Sequence, residues 1–123
     1  MSVKIVEYKK EVFCSLRIDG IHRWDNCPIE EVDFLRYDHR HMFGIKCYAV
    51  VNHSDRDIEF IELKHNVLDY LKDKYYDEVQ RTHYFGSKSC EMIAEELINE
   101  FNLSSCEVNE DGENGSIVRR RFV

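Results

Sequence analysis

The hydrophobic period changes twice along this chain, and these changes limit the folds that it can form. Apolar and polar residues alternate from Val12 to Ile18 and again from about Met42 to Val51, with the two-residue period of strands, and the first of these strands is predicted to end at Asp19-Gly20. The apolar residues recur at helical spacing from Ile58 to about Tyr75 and from Ser89 to near Asn102. Short apolar patterns then flank the Gly-containing loop 111–115, which is typical of a hairpin. The predicted order is strand, strand, helix, helix, strand, strand.

This order predicts an α+β fold in which a four-stranded antiparallel sheet carries two antiparallel helices on one face. Ser89 is a suitable N-cap for the second helix, and Glu91 lies favourably in its first turn. The chain has 123 residues, 43% of them hydrophobic, with one proline. We therefore predict one folded domain over residues 1–123.

The charge and hydropathy of the chain exclude two classes of partner. There are 17 Lys and Arg residues against 24 Asp and Glu residues, so the net charge is −7. A surface of this sign repels phosphate backbones, and the side chains of the only basic run, Arg119 to Arg121, alternate in direction along a strand. No apolar run reaches about 18 residues, the length that a membrane-spanning helix needs. We expect neither nucleic acid nor a membrane as a partner.

The cysteines and residues 1–10 indicate the cellular compartment in which the protein is expected. Five cysteines are scattered without a CxxC pair, which argues against a disulfide framework and against a zinc knuckle. Residues 1–10 mix charge with short apolar stretches and do not look like a secretory signal. We expect a cytoplasmic protein with reduced thiols.

Two histidines near the start of the second strand form a candidate metal site. His39 and His41 are two residues apart, so on a strand both imidazoles project from one face and can converge on one ion. His22, after the first strand, is the best candidate for a third nitrogen ligand. By itself an HxH pair fits ordinary surface or core histidines equally well.

Several short segments, in order, resemble the 6-pyruvoyl-tetrahydropterin and 6-carboxytetrahydropterin synthases, which have the tunnelling fold (T-fold). The segment His39-Arg40-His41 stands where that family has HGH, and the context His22-Arg23-Trp24 is similar to that of its third zinc histidine. The segment from Glu59 to Lys64 resembles the family's DFxxLK, and the segment from Ser87 to Ala94 resembles PTxENIA. The segment from Glu107 to Glu110 matches the last part of VxVxE.

This resemblance implies a homo-oligomeric ring with Zn²⁺ held by His22, His39 and His41. It also implies that Glu110 anchors the ring N–H and amino groups of a pterin. The chemistry of a glutamate also suits this role independently of the resemblance, because a carboxylate can accept two parallel N–H bonds from guanine or a pterin. Arg40, which replaces the motif glycine, adds a positive charge that suits a phosphate-bearing ligand, although a solvated strand side chain is the plainer interpretation.

The catalytic residues of that family are not matched. Its catalytic cysteine precedes HGH by four residues, and Leu35 stands at that position. Cys27 lies in the same loop and is a weak replacement, since an unperturbed thiol is mostly protonated at neutral pH. The family's Asp-His pair between the helices is also missing. His83, the only histidine in that interval, is a weak catalytic candidate that could equally cap or pack the second helix.

Because binding needs complementarity and catalysis also needs placed acids and bases, we predict a binding protein. Its ligand would be a purine nucleotide or a pterin-like molecule at a subunit interface. Small divergent relatives of this kind suggest a phage protein that sequesters the ligand from a host nucleotide-based pathway. The alternatives are a zinc-dependent tetrahydropterin synthase-like lyase, and a non-catalytic module whose sheet edges pair with a partner protein.

Overall fold

The computed structural model describes residues 5–121, which form one six-stranded sheet with helices against it. Residues 1–4 and 122–123 of the predicted domain lie outside the described part. In chain order the elements are β1 (Lys10–His22), a 3-10 helix (Glu30–Arg36), β2 (His39–Val51), α1 (Phe60–Tyr75), β3 (Tyr76–Asp77), β4 (Thr82–Gly86), α2 (Cys90–Phe101), β5 (Ser105–Glu110) and β6 (Asn114–Arg119). The predicted α+β class is confirmed.

The sheet is larger than predicted, and it is mixed. Its strand order is β3-β4-β1-β2-β5-β6, so the four predicted strands are neighbours and pair antiparallel. The prediction of a purely antiparallel four-stranded sheet is wrong, because β3 and β4 form a hairpin beside β1 and β4 runs parallel to it. These strands have only two and five residues, too few for a two-residue period to stand out in the sequence.

Strand β1 does not end at Asp19-Gly20 but continues to His22. A side chain at position 20 would clash, since an added Cβ would lie 2.7 Å from the ring of Phe85 and 2.9 Å from the ring of Phe43. Gly20 is therefore a site of close packing inside the strand rather than a turn residue. The extension matters because it carries His22 to the position opposite His39, the first residue of β2.

The two long helices lie side by side. Ser89 caps α2 as predicted, with its Oγ accepting from the Met92 N–H at 3.2 Å. Tyr70 of α1 contacts Phe101 at the end of α2, and both Tyr70 and Tyr75 donate to the carboxylate of Glu96 on α2.

The core lies between these helices and one face of the sheet. On the central strands β1 and β2, alternate residues point into it, and the intervening residues, such as Phe13 and Met42, lie exposed on the open face. Fully or nearly fully buried members include Leu16, Phe43, Ile45, Val67, Leu71, Ile93, Leu97, Leu103 and Val108. Within residues 5–121 no helix combines the length and the apolar character needed to cross a bilayer.

Candidate metal centre and adjoining cavity

Four potential metal ligands meet where three strands end. His22 is the last residue of β1, His39 is the first of β2 with His41 two residues on, and Glu110 is the last of β5. Antiparallel pairing places His22 opposite His39, and Glu110 opposite Phe43, two residues beyond His41. One donor atom from each of the four residues lies within 4.8 Å of every other. Among the described residues, this group, which we call the metal centre, can hold a metal ion.

Each imidazole of the metal centre is held through its Nδ1 atom. His22 Nδ1 lies 2.9 Å from the carbonyl oxygen of Lys88, and His39 Nδ1 lies 2.9 Å from that of Tyr37. His41 Nδ1 lies 2.7 Å from Oδ2 of Asp111. Because these oxygens only accept hydrogen bonds, each Nδ1 carries the proton and each neutral ring keeps a lone pair on Nε2. Metal-binding histidines usually donate their other ring N–H to a carbonyl or carboxylate oxygen in this way.

The Nε2 atoms are suited to an ion for a second reason. Within residues 5–121, the Nε2 atoms of His22 and His41 are buried and have no hydrogen-bond partner. A buried polar atom without a partner is costly to the fold, and such atoms are rare. A metal ion between the rings would give both atoms a partner, so the donors present fit the binding of an ion.

The electrostatics of the metal centre also favour a cation. Burial opposes protonation of His22, but the Glu110 carboxylate and the Lys88 carbonyl outweigh it and raise the pKa of His22. Burial lowers the pKa of His39, with help from the two neighbouring imidazoles, so this ring keeps its lone pair at neutral pH. The contact with His22 is the main cause of the lowered pKa of Glu110. A half-buried carboxylate that stays ionised gives the centre a negative charge.

Asp111 is a site residue that the sequence reasoning missed. It follows Glu110 in the β5-β6 loop with a φ of 60°, and its Oδ1 accepts from the Met42 N–H at 2.8 Å. That bond and the contact with His41 lower the pKa of the Asp111 carboxyl. In the sequence, Asp111-Gly112 looks like an ordinary turn signal, and only the register of β5 against β2 shows that this aspartate reaches His41.

A cavity of about 380 Å³ opens beside the metal centre. Three of the four ligands line it, together with the first turn of α2 and the segment that follows β1. Trp24 and Leu35 form an apolar part of its wall and are tied together, because the Trp24 N–H donates to the Leu35 carbonyl at 2.7 Å. Its lining consists of His22, Arg23, Trp24, Leu35, His39, Ser87, Lys88, Ser89, Cys90, Glu91, Met92, Glu110, Asn114, Gly115 and Ser116.

The structure does not bring Arg40 or the two weak catalytic candidates to this site. Arg40 points away from the metal centre, towards Asp19 and the Gln80 carbonyl. Cys27 packs its Sγ against the Ile29 and Val32 carbonyls and does not line the cavity. His83 bonds to the Asp19 carbonyl at 3.0 Å and stacks on Phe85.

The cavity wall offers no activated thiol. Leu35, at the position of the synthase cysteine, is part of the wall. Cys90 also lines the cavity, but burial and then the charge of Glu110 raise the pKa of its thiol to about 12. A thiol that keeps its proton at neutral pH is a poor nucleophile.

No protein-family model matches this chain, and no curated protein sequence matches it. The resemblance to the tetrahydropterin synthases thus stays a prediction from the sequence. Chemically, three imidazoles and one carboxylate beside a cavity can hold a divalent cation next to a bound small molecule.

Proposed function

We propose that this chain is a zinc-dependent binding protein of the T-fold type, whose cavity holds a purine nucleotide or a pterin-like molecule. The observation that carries the proposal is the metal centre beside the cavity: three Nε2 donors and a carboxylate converge, and every Nδ1 is already held. His22, His39 and His41 would hold the ion.

Zinc is the ion that this donor set suits best. Imidazole nitrogens with one carboxylate favour a borderline transition metal over Mg²⁺ or Ca²⁺, which take oxygen ligands. Three histidines form a common zinc donor set. When bound, zinc would supply a positive charge beside the cavity.

The size and the lining of the cavity favour a flat, polar, heteroaromatic ligand. Its volume of about 380 Å³ falls in the range of small-molecule sites. Trp24 offers an aromatic face for stacking, and its backbone N–H is bonded to the Leu35 carbonyl. The neighbouring Arg23 also lines the cavity and donates to Asp25 at 2.8 Å and to the Tyr84 hydroxyl at 2.6 Å. Asn114 and Ser116 on β6 provide polar groups for a ring edge.

Binding without turnover fits the cavity better than the lyase alternative. A synthase-like reaction needs a group that moves protons at the substrate. Cys27 and His83 lie elsewhere, and the thiol of Cys90 stays protonated at neutral pH. A protein that captures its ligand and releases it unchanged needs none of these groups, and sequestration from a host nucleotide-based pathway, as in a phage protein, is the corresponding biological role.

An oligomeric ring is part of this proposal. Among the described strands, β6 pairs only with β5, so one of its edges is free to pair. The open face of the sheet exposes large apolar side chains, for example Phe13 at 55% and Ile117 at 50%. Closing several sheets into a barrel would pair the edges and cover this face. A monomer in solution would favour the alternative of an interaction module.

Two measurements test the proposal. Elemental analysis after purification without chelators should find about one zinc per chain. Trp24 is the only tryptophan, so its fluorescence should change when the zinc-loaded protein is titrated with GTP, neopterin or a related pterin. The ligand should be recovered unchanged by chromatography.

The control is the His39→Ala variant, which removes one nitrogen donor from the metal centre. This variant should lose both the bound zinc and the fluorescence response to the ligand. Zinc-free wild type that cannot be reconstituted with the metal, or no response to any purine or pterin, would refute the proposal. A ligand recovered as an elimination product would establish the lyase instead.

A further inference from the structure

We infer that Glu110 is the fourth protein ligand of the metal ion, so that the coordination sphere is closed. This inference rests on the proposed function, which supplies the ion, and it revises the role that the sequence predicted for Glu110. The T-fold resemblance implies a free carboxylate that anchors the ligand ring. The geometry points to a carboxylate that binds the metal.

The two distances from Glu110 to histidine nitrogens are close to those of a tetrahedral site. Zinc lies about 2.0–2.1 Å from nitrogen and oxygen ligands, so the donors of a tetrahedral site lie about 3.3 Å apart. Oε2 of Glu110 lies 3.2 Å from Nε2 of His41 and 3.6 Å from Nε2 of His22. The carboxylate oxygen thus stands at the distance expected for a fourth ligand.

An ion pair between Glu110 and a protonated histidine explains the contact less well. The Nε2 atoms of His22 and His41 have no hydrogen-bond partner in residues 5–121, and because each Nδ1 holds the proton, each Nε2 has a lone pair and cannot donate to the carboxylate. Two lone-pair nitrogens at 3.6 and 3.2 Å from one carboxylate oxygen are what ligands of a shared ion look like. The Nδ1 bonds described above hold the rings in this orientation.

A closed sphere has a consequence for function. Structural zinc sites take four protein ligands, whereas catalytic sites keep one position open for water or substrate. Four protein donors at this centre therefore assign the ion an organising role: it fixes the cavity walls that His22, His39 and Glu110 form. The cavity ligand is then held by the walls, in agreement with binding rather than lyase chemistry.

The test uses Co²⁺, which replaces Zn²⁺ and has visible absorption bands that report coordination, and azide as a small exogenous ligand. Wild type, Glu110→Ala and Glu110→Gln are compared with Glu107→Gln. Glu107 lies three residues earlier on β5, pairs with Lys46 and Ile117, and takes no part in the metal centre. Circular dichroism of the metal-free proteins checks that each variant folds, and Glu110→Gln keeps the size of the side chain.

We expect azide to leave the Co²⁺ spectrum of wild type and Glu107→Gln unchanged and to alter that of Glu110→Ala, where a position is open. Competition with a chelator should show Zn²⁺ affinity lowered at least about tenfold in both Glu110 variants, since even outer-shell changes cost that much. If wild type responds to azide as Glu110→Ala does, or if the Glu110 variants keep wild-type affinity, the inference is overturned while the metal centre stands. If wild type binds neither metal, the proposed function fails as well.

Discussion

The same three strands carry two rows of potential metal ligands, and only one row can hold an ion. In the middle of the sheet, Cys14, Cys47 and Cys106 stand side by side on β1, β2 and β5. At the end of the same strands, on the same face, the metal centre has His22, His39, His41 and Glu110. We call the first group the cysteine row.

Spacing and burial make the difference. Neighbouring strands lie about 4.8 Å apart, so short side chains on three successive strands spread over roughly 10 Å and cannot reach one ion. The cysteine row is covered by the helices, with exposures of 6%, 0% and 0%. Hydrogen bonding to the next thiol in the row and burial raise the pKa of Cys14 and of Cys47, so both keep their protons. The metal centre instead takes two ligands from one strand and uses longer side chains.

The comparison teaches that ligand chemistry in a sheet depends on position along the strand more than on residue type. Residues in the middle of β1, β2 and β5 serve as core, whatever metal affinity their side chains have in isolation. At the strand ends, in contrast, His22, His39 and Glu110 line a cavity.

The largest expected effect is a loss of Zn²⁺ affinity that occurs in a variant of the metal centre and not in a variant of the cysteine row. Replacing His41 by Ala should lower Zn²⁺ affinity on the order of 100-fold, because the proposed site loses one of its four donors and the binding of structural zinc is worth about 10–16 kcal/mol. Competition with a chelator measures this. Cys106→Ala, the matched change in the cysteine row, should leave Zn²⁺ affinity unchanged, and an equal loss in both variants would show that the rows are not distinct.

A smaller effect on Zn²⁺ affinity tests whether Asp111 positions His41 in the metal centre. Asp111→Asn removes the charge that holds the Nδ1–H of His41 and should lower Zn²⁺ affinity about 10–100-fold. Glu113→Gln removes a charge from the same exposed loop without contacting a histidine and serves as the control. Equal affinities in Asp111→Asn and wild type would show that Asp111 does not position His41.

Substitutions in the cysteine row should instead change the stability of the fold. Cys47→Ser places a hydroxyl at a fully buried apolar position and should lower the free energy of unfolding of the metal-free protein by about 1–3 kcal/mol. Urea titration measures it. Cys27→Ser, in a partly exposed loop, should change little, and a Cys47→Ser variant as stable as wild type would contradict the assignment of the row as core.

The smallest expected effect is also on the stability of the fold, and it concerns the helices that cover the cysteine row. Glu96 of α2 accepts bonds from Tyr70, Tyr75 and Lys74 and pairs with Lys88, whose carbonyl holds His22. Although burial opposes it, this network lowers the pKa of Glu96 to about 2. The stabilisation is therefore complete above the ordinary glutamate pKa of 4.5 and is lost as the pH falls from there towards 2.

Glu96→Gln should lower the free energy of unfolding at neutral pH by about 1 kcal/mol and flatten its dependence on pH below 4.5. Denaturation at several pH values measures both. Glu95→Gln, on the exposed side of the same helix, is the control. An unchanged pH profile in Glu96→Gln would show that the network contributes nothing to stability.

Strong periodicity made much of the fold predictable. The alternation in β1 and β2, the stripes of α1 and α2 and the Ser89 cap all lie within single elements, where local spacing decides the outcome. The β3-β4 hairpin escaped prediction because its strands are too short to show a period. The end of β1 was misplaced because Gly20 looks like a turn, whereas the structure needs its small size beside Phe43 and Phe85.

For the site, the sequence by itself determined that His39 and His41 project from one face at the start of a strand, because a strand has a two-residue period, and it offered His22 as a candidate third donor. Only the tertiary structure decided that Glu110 contacts the same nitrogens, that Asp111 holds His41, and that Arg40, Cys27 and His83 lie elsewhere. The reason is physical: local spacing sets the direction of a side chain within its own strand, whereas contacts between strands depend on register, which the packing of the whole sheet against its helices determines.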